Sequence, residues 1–113
     1  MQTVLFGNVS SLQTFFHAQV IIIEPAFDCY KSLVHLAGGT AVFVPLRHTC
    51  PEDQSCAAWK LDKEELRSLF NAKTKAIVIN TPNNPMGKIF SKEELMVCVV
   101  LLIIGDHRIS NSV

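Results

Sequence analysis

The sequence predicts an α/β fold, a mainly parallel sheet with flanking helices, because short apolar runs alternate with segments of helical spacing. The run VIII at 20–23 is β-branched and continuous, which is typical of a strand buried on both faces. KAIVIN at 75–80 has the same character, and AVFVPL at 41–46 lies between the two. Strands that alternate with helices in this way form layered α/β domains.

The segment between the first two strands predicts a helix. FDCYKSLVHLAGG begins at Phe27, has apolar residues at mostly helical spacing, and reaches its stop signal at Gly38 and Gly39. In the second strand, Pro45 predicts that strand pairing ends there or that the strand lies at an edge. Residues 47–61 show no periodicity and predict a surface loop.

Two capping-box patterns predict the starts of further helices. Asp62 is followed three residues later by Glu65 and opens DKEELRSLF, and Ser91 with Glu94 repeats the device after the third strand. The stretch LMVCVVLLII at 95–104 is about half as long as a membrane span needs. It predicts a buried helix or strand, or an unprotected hydrophobic tail.

Length and charge restrict the class of protein. A chain of 113 residues with 49% apolar content suffices for one small domain at most. Ten basic residues balance ten acidic ones, so no net field attracts nucleic acid or an anionic membrane surface, and we expect neither as a partner. No targeting segment is recognisable, which predicts a cytoplasmic protein.

The four cysteines, Cys29, Cys50, Cys56 and Cys98, are an even number without dense regular spacing. We therefore expect reduced thiols rather than a disulfide framework. His48 with Cys50 and Cys56 could suggest a metal site, but the spacing matches no zinc-ligand pattern and a fourth ligand is not evident. We expect no metal site.

Two proline-containing loops follow the first and third predicted strands and so lie at the carboxyl ends of these strands. Ligands bind at the carboxyl ends of the strands in α/β sheets. The second loop, NTPNNPMGK at 80–88, packs two prolines and three asparagines into nine positions. Asparagine offers a donor and an acceptor without charge, and X-Pro bonds fix the chain in non-repeating directions. The loop therefore predicts a ligand site, with an ordinary turn as the alternative.

The same loop carries a family resemblance. NTPNNPMGK, preceded by TKAIVI and followed by IFSKEEL, resembles the N-P-x-G signature of the class I aminotransferases, which depend on pyridoxal phosphate. Upstream, VIIIEPAFDCYKSLVHLAGGTAVFVPLR makes the chain most similar to the kynurenine aminotransferases, also called cysteine-S-conjugate β-lyases or glutamine transaminase K. The resemblance implies part of the large domain of the fold type I transferase architecture over 20–95. Residues 1–19 and 96–113 are then divergent flanking segments.

The resemblance also implies roles for three residues. Asn84 matches the asparagine that hydrogen-bonds the phenolic oxygen of the cofactor ring and lies beside the substrate carboxylate. Asn80 matches a second active-site asparagine, and Phe27 matches the aromatic residue that stacks on the pyridine ring. From the residue pattern alone, Phe27 would instead be a core residue of the helix that it begins. Tyr30 is expected to be a packing residue.

Other parts of the family's site have no match here, so no catalytic residue is assigned. The resemblance places the cofactor-binding lysine far downstream and the carboxylate-binding arginine in a C-terminal small domain, and the surroundings of Asp106 do not match those of the acid at the ring nitrogen. GNVSSL at 7–12 resembles the phosphate-binding turn only faintly.

The function that the resemblance implies is transamination between an amino acid such as kynurenine or glutamine and a 2-oxo acid, with β-lyase side activity, in a homodimer. We expect this chain alone to be inactive. The alternative is a non-catalytic fragment that folds only partly or binds a full-length subunit. A nucleotide-binding module is a third hypothesis, but the sequence has neither a G-x-G-x-x-G nor a P-loop motif.

Overall fold

A five-stranded mixed sheet with helices on both faces forms the centre of the protein. The computed structural model describes residues 2–7 and 17–110, with side chains for 17–104. In chain order the elements are β1 (Gln2–Gly7), β2 (Gln19–Glu24), α1 (Cys29–Leu36), β3 (Thr40–His48), a 3₁₀ helix (Cys56–Ala58), β4 (Trp59–Leu61), α2 (Lys63–Leu69), β5 (Thr74–Thr81) and α3 (Lys92–Ser110).

The strand order is β1-β5-β2-β3-β4. The three central strands, β5, β2 and β3, are parallel, as predicted. Both outer strands are antiparallel to their neighbours, which the prediction of a mainly parallel sheet did not include. β1 lies in the segment 1–19, for which no strand was predicted.

β3 changes its pairing partner at Pro45. It pairs with β2 as far as the match of Pro45 with Glu24, and with β4 from Leu46 onward. Proline has no N–H to donate to a ladder, so a change of partner suits this position. The prediction that pairing ends there is confirmed for β2. The prediction of a loop over 47–61 is wrong at both ends, because β3 continues to His48 and β4 begins at Trp59.

The side chains of β2 alternate between two cores, so this strand is buried on both faces as predicted. Ile21 and Ile23 face α2 and α3, where the core includes Leu66 and Cys98. Val20 and Ile22 face the side that is covered by α1. Each such side chain contributes about 1.5–3 kcal/mol when it is removed from water. This burial fixes the positions of the strand ends.

Helix α1 is shorter than predicted, and none of its residues is fully buried. It begins at Cys29, so Phe27 precedes the helix rather than starting it. Only Tyr30 and Val34 pack against the core, whereas Leu33 and Leu36 are 58% and 84% exposed. The predicted end of the helix is confirmed, because α1 ends at Leu36 and Gly38 follows it closely. Gly38 has a φ of 81°, which few other residues adopt, and its N–H donates to the His35 carbonyl at 3.0 Å.

The two predicted caps form to different extents. Asp62 Oδ1 accepts from the N–H groups of Glu64 and Glu65 at 2.9 Å each, but the Glu65 carboxylate binds Arg47 instead of completing the box. Ser91 and Glu94 form the full reciprocal box: the N–H of Glu94 donates to Ser91 Oγ at 3.2 Å, and the N–H of Ser91 donates to Glu94 Oε2 at 2.8 Å.

The apolar run 95–104 is helical and has one buried face. Cys98 and Leu101 lie in the core, and four apolar residues of this run are exposed: Met96, Val100, Ile103 and Ile104. Both predicted outcomes, a buried helix and an unprotected apolar surface, are therefore combined in α3. None of the described helices is long and apolar enough to cross a membrane.

Candidate functional site

The two proline loops lie side by side because β2 and β5 pair in parallel. One is the turn at 25–28, after β2, and the other is the segment 81–91, which we call the asparagine loop. The peptide bonds Glu24-Pro25, Thr81-Pro82 and Asn84-Pro85 are all cis. Because each loop directly follows one of the two parallel strands, both loops lie at the carboxyl edge of these strands, where the sequence predicted a ligand site.

Asn83 connects the two loops. It is 6% exposed, and its Nδ2 donates to the Pro25 carbonyl at 2.9 Å while its Oδ1 accepts from the Met86 N–H at 3.0 Å. Its backbone N–H donates to the Lys88 carbonyl at 2.8 Å, and its carbonyl accepts from the Gly87 N–H at 2.6 Å. The sequence prediction did not single out Asn83, although asparagine's tendency to bond its own loop backbone was an available signal.

Gly87 closes this loop with a φ of 75°, a conformation that disfavours residues with a Cβ. A Cβ placed there would meet no atom within 4 Å, so the requirement for glycine comes from the backbone conformation rather than from space.

Asn80 and Phe27 are brought together through Tyr30. Asn80, at the end of β5, is 5% exposed, and its Nδ2 donates to the Tyr30 hydroxyl at 2.8 Å. The ring of Phe27 meets that of Tyr30 edge-on, with 6.3 Å between centroids and 77° between planes. Tyr30 thus links the two predicted site residues in addition to packing in the core.

Phe27 is 49% exposed, so the alternative that it is a core residue is wrong. A half-exposed aromatic ring offers apolar surface to a ligand.

Asn84 lies in the asparagine loop directly after Asn83 and is half-buried. Its side chain makes no hydrogen bond to a residue that the structure describes, in contrast to Asn80 and Asn83. The predicted roles of Asn84 toward a cofactor and a substrate remain predictions. A carboxamide without such a bond is able to bind a ligand through its donor or its acceptor.

A buried ion pair joins Lys88 of the asparagine loop to Glu94 of α3. Lys88 Nζ lies 3.2 Å from Glu94 Oε2, with the two side chains 1% and 7% exposed, and it lies 5.1 Å from the centroid of the Phe90 ring. Glu94 Oε1 accepts from the Leu61 N–H at 3.0 Å. The sequence analysis missed this pair, because a lysine in a polar loop is usually solvated.

The environment of Glu94 keeps its carboxylate ionised. Burial alone would raise the pKa of Glu94, but the hydrogen bonds from Leu61, Ser91 and Lys88, with the charge of Lys88, bring the pKa below its ordinary value. The carboxylate is thus fully engaged in structure, and it is not poised to exchange protons near neutral pH.

Three other predictions concern the metal site, the cysteines and the phosphate turn. Within the part of the chain that the structure describes, no three His, Cys, Asp or Glu side chains are grouped so that they could hold a metal, and His48 Nε2 bonds the Asp53 carbonyl at 2.9 Å. The four cysteines are free. The predicted phosphate turn falls mostly on residues 8–12, outside the described residues.

The residues present fit the ring of pyridoxal phosphate. The half-exposed aromatic ring of Phe27 suits a flat heteroaromatic ring, and the Asn84 carboxamide suits a phenolic oxygen.

Comparison with known proteins identifies the family. The family described as aminotransferase class I and II matches residues 7–100. Kynurenine--oxoglutarate transaminase 3 of Bos taurus is 54% identical over 90 residues, which are 78% of this chain and 20% of that protein. Kynurenine--oxoglutarate transaminase 1 of Mus musculus is 48% identical over 107 residues, which are 87% of this chain and 25% of that protein.

Solved structures show the same relationship. Bna3p of Saccharomyces cerevisiae superposes with a TM-score of 0.74 at 34% identity, over 84% of this chain and 24% of that one. Aspartate aminotransferase of Thermus thermophilus with maleate gives 0.66 at 32% identity, over 92% and 27%. The chain therefore spans a fifth to about a quarter of the length of these proteins and corresponds to part of the fold type I large domain. The chain belongs to the class I and II aminotransferase family.

Proposed function

We propose that Phe27, Asn80 and Asn84 form the ring-binding wall of a pyridoxal phosphate site in a transaminase. The observation that carries the proposal is the exposed ring of Phe27, which is linked through Tyr30 to Asn80 at the carboxyl edge of the parallel strands. Pyridoxal phosphate is the cofactor of this family. The names of the relatives support kynurenine or a similar amino acid and a 2-oxo acid as substrates.

Each residue has a distinct task in this proposal. Phe27 stacks on the pyridine ring, which orients the ring and excludes water from one face. Asn84 donates a hydrogen bond to the phenolic oxygen, holds it as the anion, and lies beside the substrate carboxylate. Asn80 fixes the Tyr30 hydroxyl and, through the Tyr30 ring, the position of the Phe27 ring. When bound, the cofactor supplies an electron sink for the charge that develops on the substrate.

The chain by itself is proposed to bind the cofactor weakly and without turnover. A ring wall alone supplies a stacking contact and a few hydrogen bonds, which correspond to a dissociation constant of roughly 0.1–1 mM. The β-lyase side activity, the homodimer and the cytoplasmic location belong to the same proposal as properties of the whole enzyme type.

A non-catalytic chain that binds a full-length subunit is the second candidate. It is favoured by the exposed apolar residues of α3, because an apolar face of this kind is typical of a surface that another element covers.

Equilibrium dialysis with pyridoxal phosphate tests the first proposal. Phe27→Leu and Asn84→Ala should each weaken binding at least about threefold, whereas Leu36→Ala and Gln54→Ala should not, because both control residues are exposed and lie outside the two loops. Equal affinity in all five proteins would contradict the proposal.

Borohydride treatment followed by mass spectrometry tests the expected inactivity. We expect no reduced adduct on a unique lysine. A single modified lysine, or micromolar stoichiometric binding that Asn84→Ala abolishes, would show that the chain binds the cofactor more strongly than proposed.

A further inference from the structure

We propose that the buried pair of Lys88 and Glu94 is a positioning device that sets the conformation of the asparagine loop and thereby the direction of the Asn84 carboxamide. This inference rests on the proposed function, since Asn84 is the residue that it positions for the cofactor ring. Neither charged side chain is available to a ligand, because the two are 1% and 7% exposed. Their effect on the site must therefore pass through the loop backbone.

Backbone hydrogen bonds connect the pair to the asparagines. The Lys88 carbonyl accepts from the Asn83 N–H at 2.8 Å, and the N–H of the preceding Gly87 donates to the Asn83 carbonyl at 2.6 Å. Inward placement of the Lys88 side chain thus fixes the backbone segment against which Asn83 is held. Asn84 follows Asn83 directly and carries no hydrogen bond of its own to a described residue. Its direction is therefore determined by its neighbours.

The Glu94 carboxylate is held by backbone hydrogen bonds. Its carboxylate accepts from the Leu61 N–H on β4 at 3.0 Å and from the Ser91 N–H at 2.8 Å, in addition to Lys88. These bonds tie the anion to the edge of the sheet and to the start of α3. Because the anion is fixed on two sides, the position of the lysine ammonium, and with it the loop, is set by rigid elements rather than by the loop itself.

Two buried charges are costly to desolvate, and apolar residues of similar volume often stabilise a fold as well or better. A pair that is costly for stability and that includes a residue of the asparagine loop is better explained by the loop conformation that it specifies. The exposed pair of Arg47 and Glu65, at 2.7 Å and with side chains 58% and 31% exposed, joins β3 to α2 outside the loop and provides a comparison.

The test uses the full chain and the double variant Lys88→Met/Glu94→Gln. Either single change leaves a buried charge unpaired and should lower the denaturation midpoint, whereas the double change should recover most of the loss. The Asn84 side-chain amide resonances are then compared with those of wild type by NMR, and pyridoxal phosphate affinity is measured in parallel. The control is Arg47→Met/Glu65→Gln.

We expect the folded double variant to show displaced Asn84 amide resonances and affinity reduced about fivefold, with neither change in the control. A stable double variant with unchanged Asn84 resonances would overturn the inference. So would a double variant that fails to fold, because the pair would then be required for the fold rather than for the loop. If the wild-type chain does not bind the cofactor, the proposed function fails, but the resonances still decide whether the pair positions Asn84.

Discussion

Asn83 and Asn84 are adjacent in the asparagine loop but have different environments. Asn83 is buried and bonded to two loop segments, whereas Asn84 is half-buried and has no such bond to a described residue. Because a buried unpaired group costs more than an exposed one, the two residues should respond differently to the same substitution.

Asn83→Ala should lower the free energy of unfolding by about 1–3 kcal/mol, because it leaves the Pro25 carbonyl and the Met86 N–H without their partner. Asn84→Ala should change it by less than about 0.5 kcal/mol. Urea denaturation followed by circular dichroism measures both. Equal destabilisation by the two changes would show that the connection between the loops does not depend on Asn83.

Glu94 predicts an acid-dependent loss of stability. Its pKa in the folded chain is lower than the ordinary value of 4.5, so its contribution is fully present above that value and is lost as the pH falls through the lower folded-state pKa. Glu94→Gln should therefore show a shallower decline of unfolding free energy with acidification than wild type. Parallel declines in urea titrations at several acidic pH values would contradict this prediction.

The positions of three residues at this edge of the sheet could be predicted from the sequence, because the residues belong to local motifs. Asn80, Asn84 and Phe27 lie within or beside proline-containing segments that a family signature identifies. Asn83 and Lys88 lie in the same loop but act through the Pro25 carbonyl and the Glu94 carboxylate. Their importance depends on burial, which a single sequence does not display for a polar loop.

The elements were predictable where their signals are local. β2 and β5 are continuous apolar runs, and Ser91 with Glu94 is a complete capping motif. β4 has only three residues, and its extended conformation depends on pairing with β3, a contact that local periodicity cannot reveal. Of the apolar residues at helical spacing in α1, Leu33 and Leu36 are exposed, because only one narrow face of the helix meets the sheet.

Docking of α3 can be followed through a single thiol. Burial, with a smaller contribution from the charge of Glu94, raises the pKa of Cys98 to about 11, and the residue is 0% exposed. At about pH 8, iodoacetamide should modify Cys50 readily and Cys98 only after denaturation, because the thiolate is the reactive form.

Cys50 serves as the internal control, since it is exposed on the loop between β3 and β4. Peptide mass spectrometry distinguishes the two sites. If Cys98 reacts as fast as Cys50 in the native chain, α3 does not stay packed on the sheet.

At the scale of the whole molecule, α3 exposes an apolar surface of a kind that a self-contained domain would bury. Met96, Val100 and Ile104 line a groove of about 610 Å³ with Phe70 and Leu101, and Ile103 is 54% exposed nearby on the same helix. Apolar surface of this kind promotes association in water. The groove lies away from the asparagine loop and contributes nothing to the proposed ring site.

Val100→Lys/Ile103→Lys should reduce concentration-dependent self-association without loss of helical content, because both side chains are exposed. Sedimentation velocity at several concentrations measures the effect. Leu36→Lys is the control, since that side chain is 84% exposed but lies on α1, away from the groove. If Leu36→Lys is equally effective, the improvement comes from added charge rather than from the surface of α3.

The connection made by Asn83 has a consequence for the entropy of ligand binding. The turn at 25–28 and the asparagine loop would each retain conformational freedom if they were separate, and a ligand would have to order both of them. Because the Asn83 side chain joins them in the ligand-free chain, that freedom is lost during folding. A ligand that binds between Phe27 and Asn84 therefore contacts loops that are already ordered. The conformational entropy lost in ordering these loops is offset during folding by burial of the hydrophobic core.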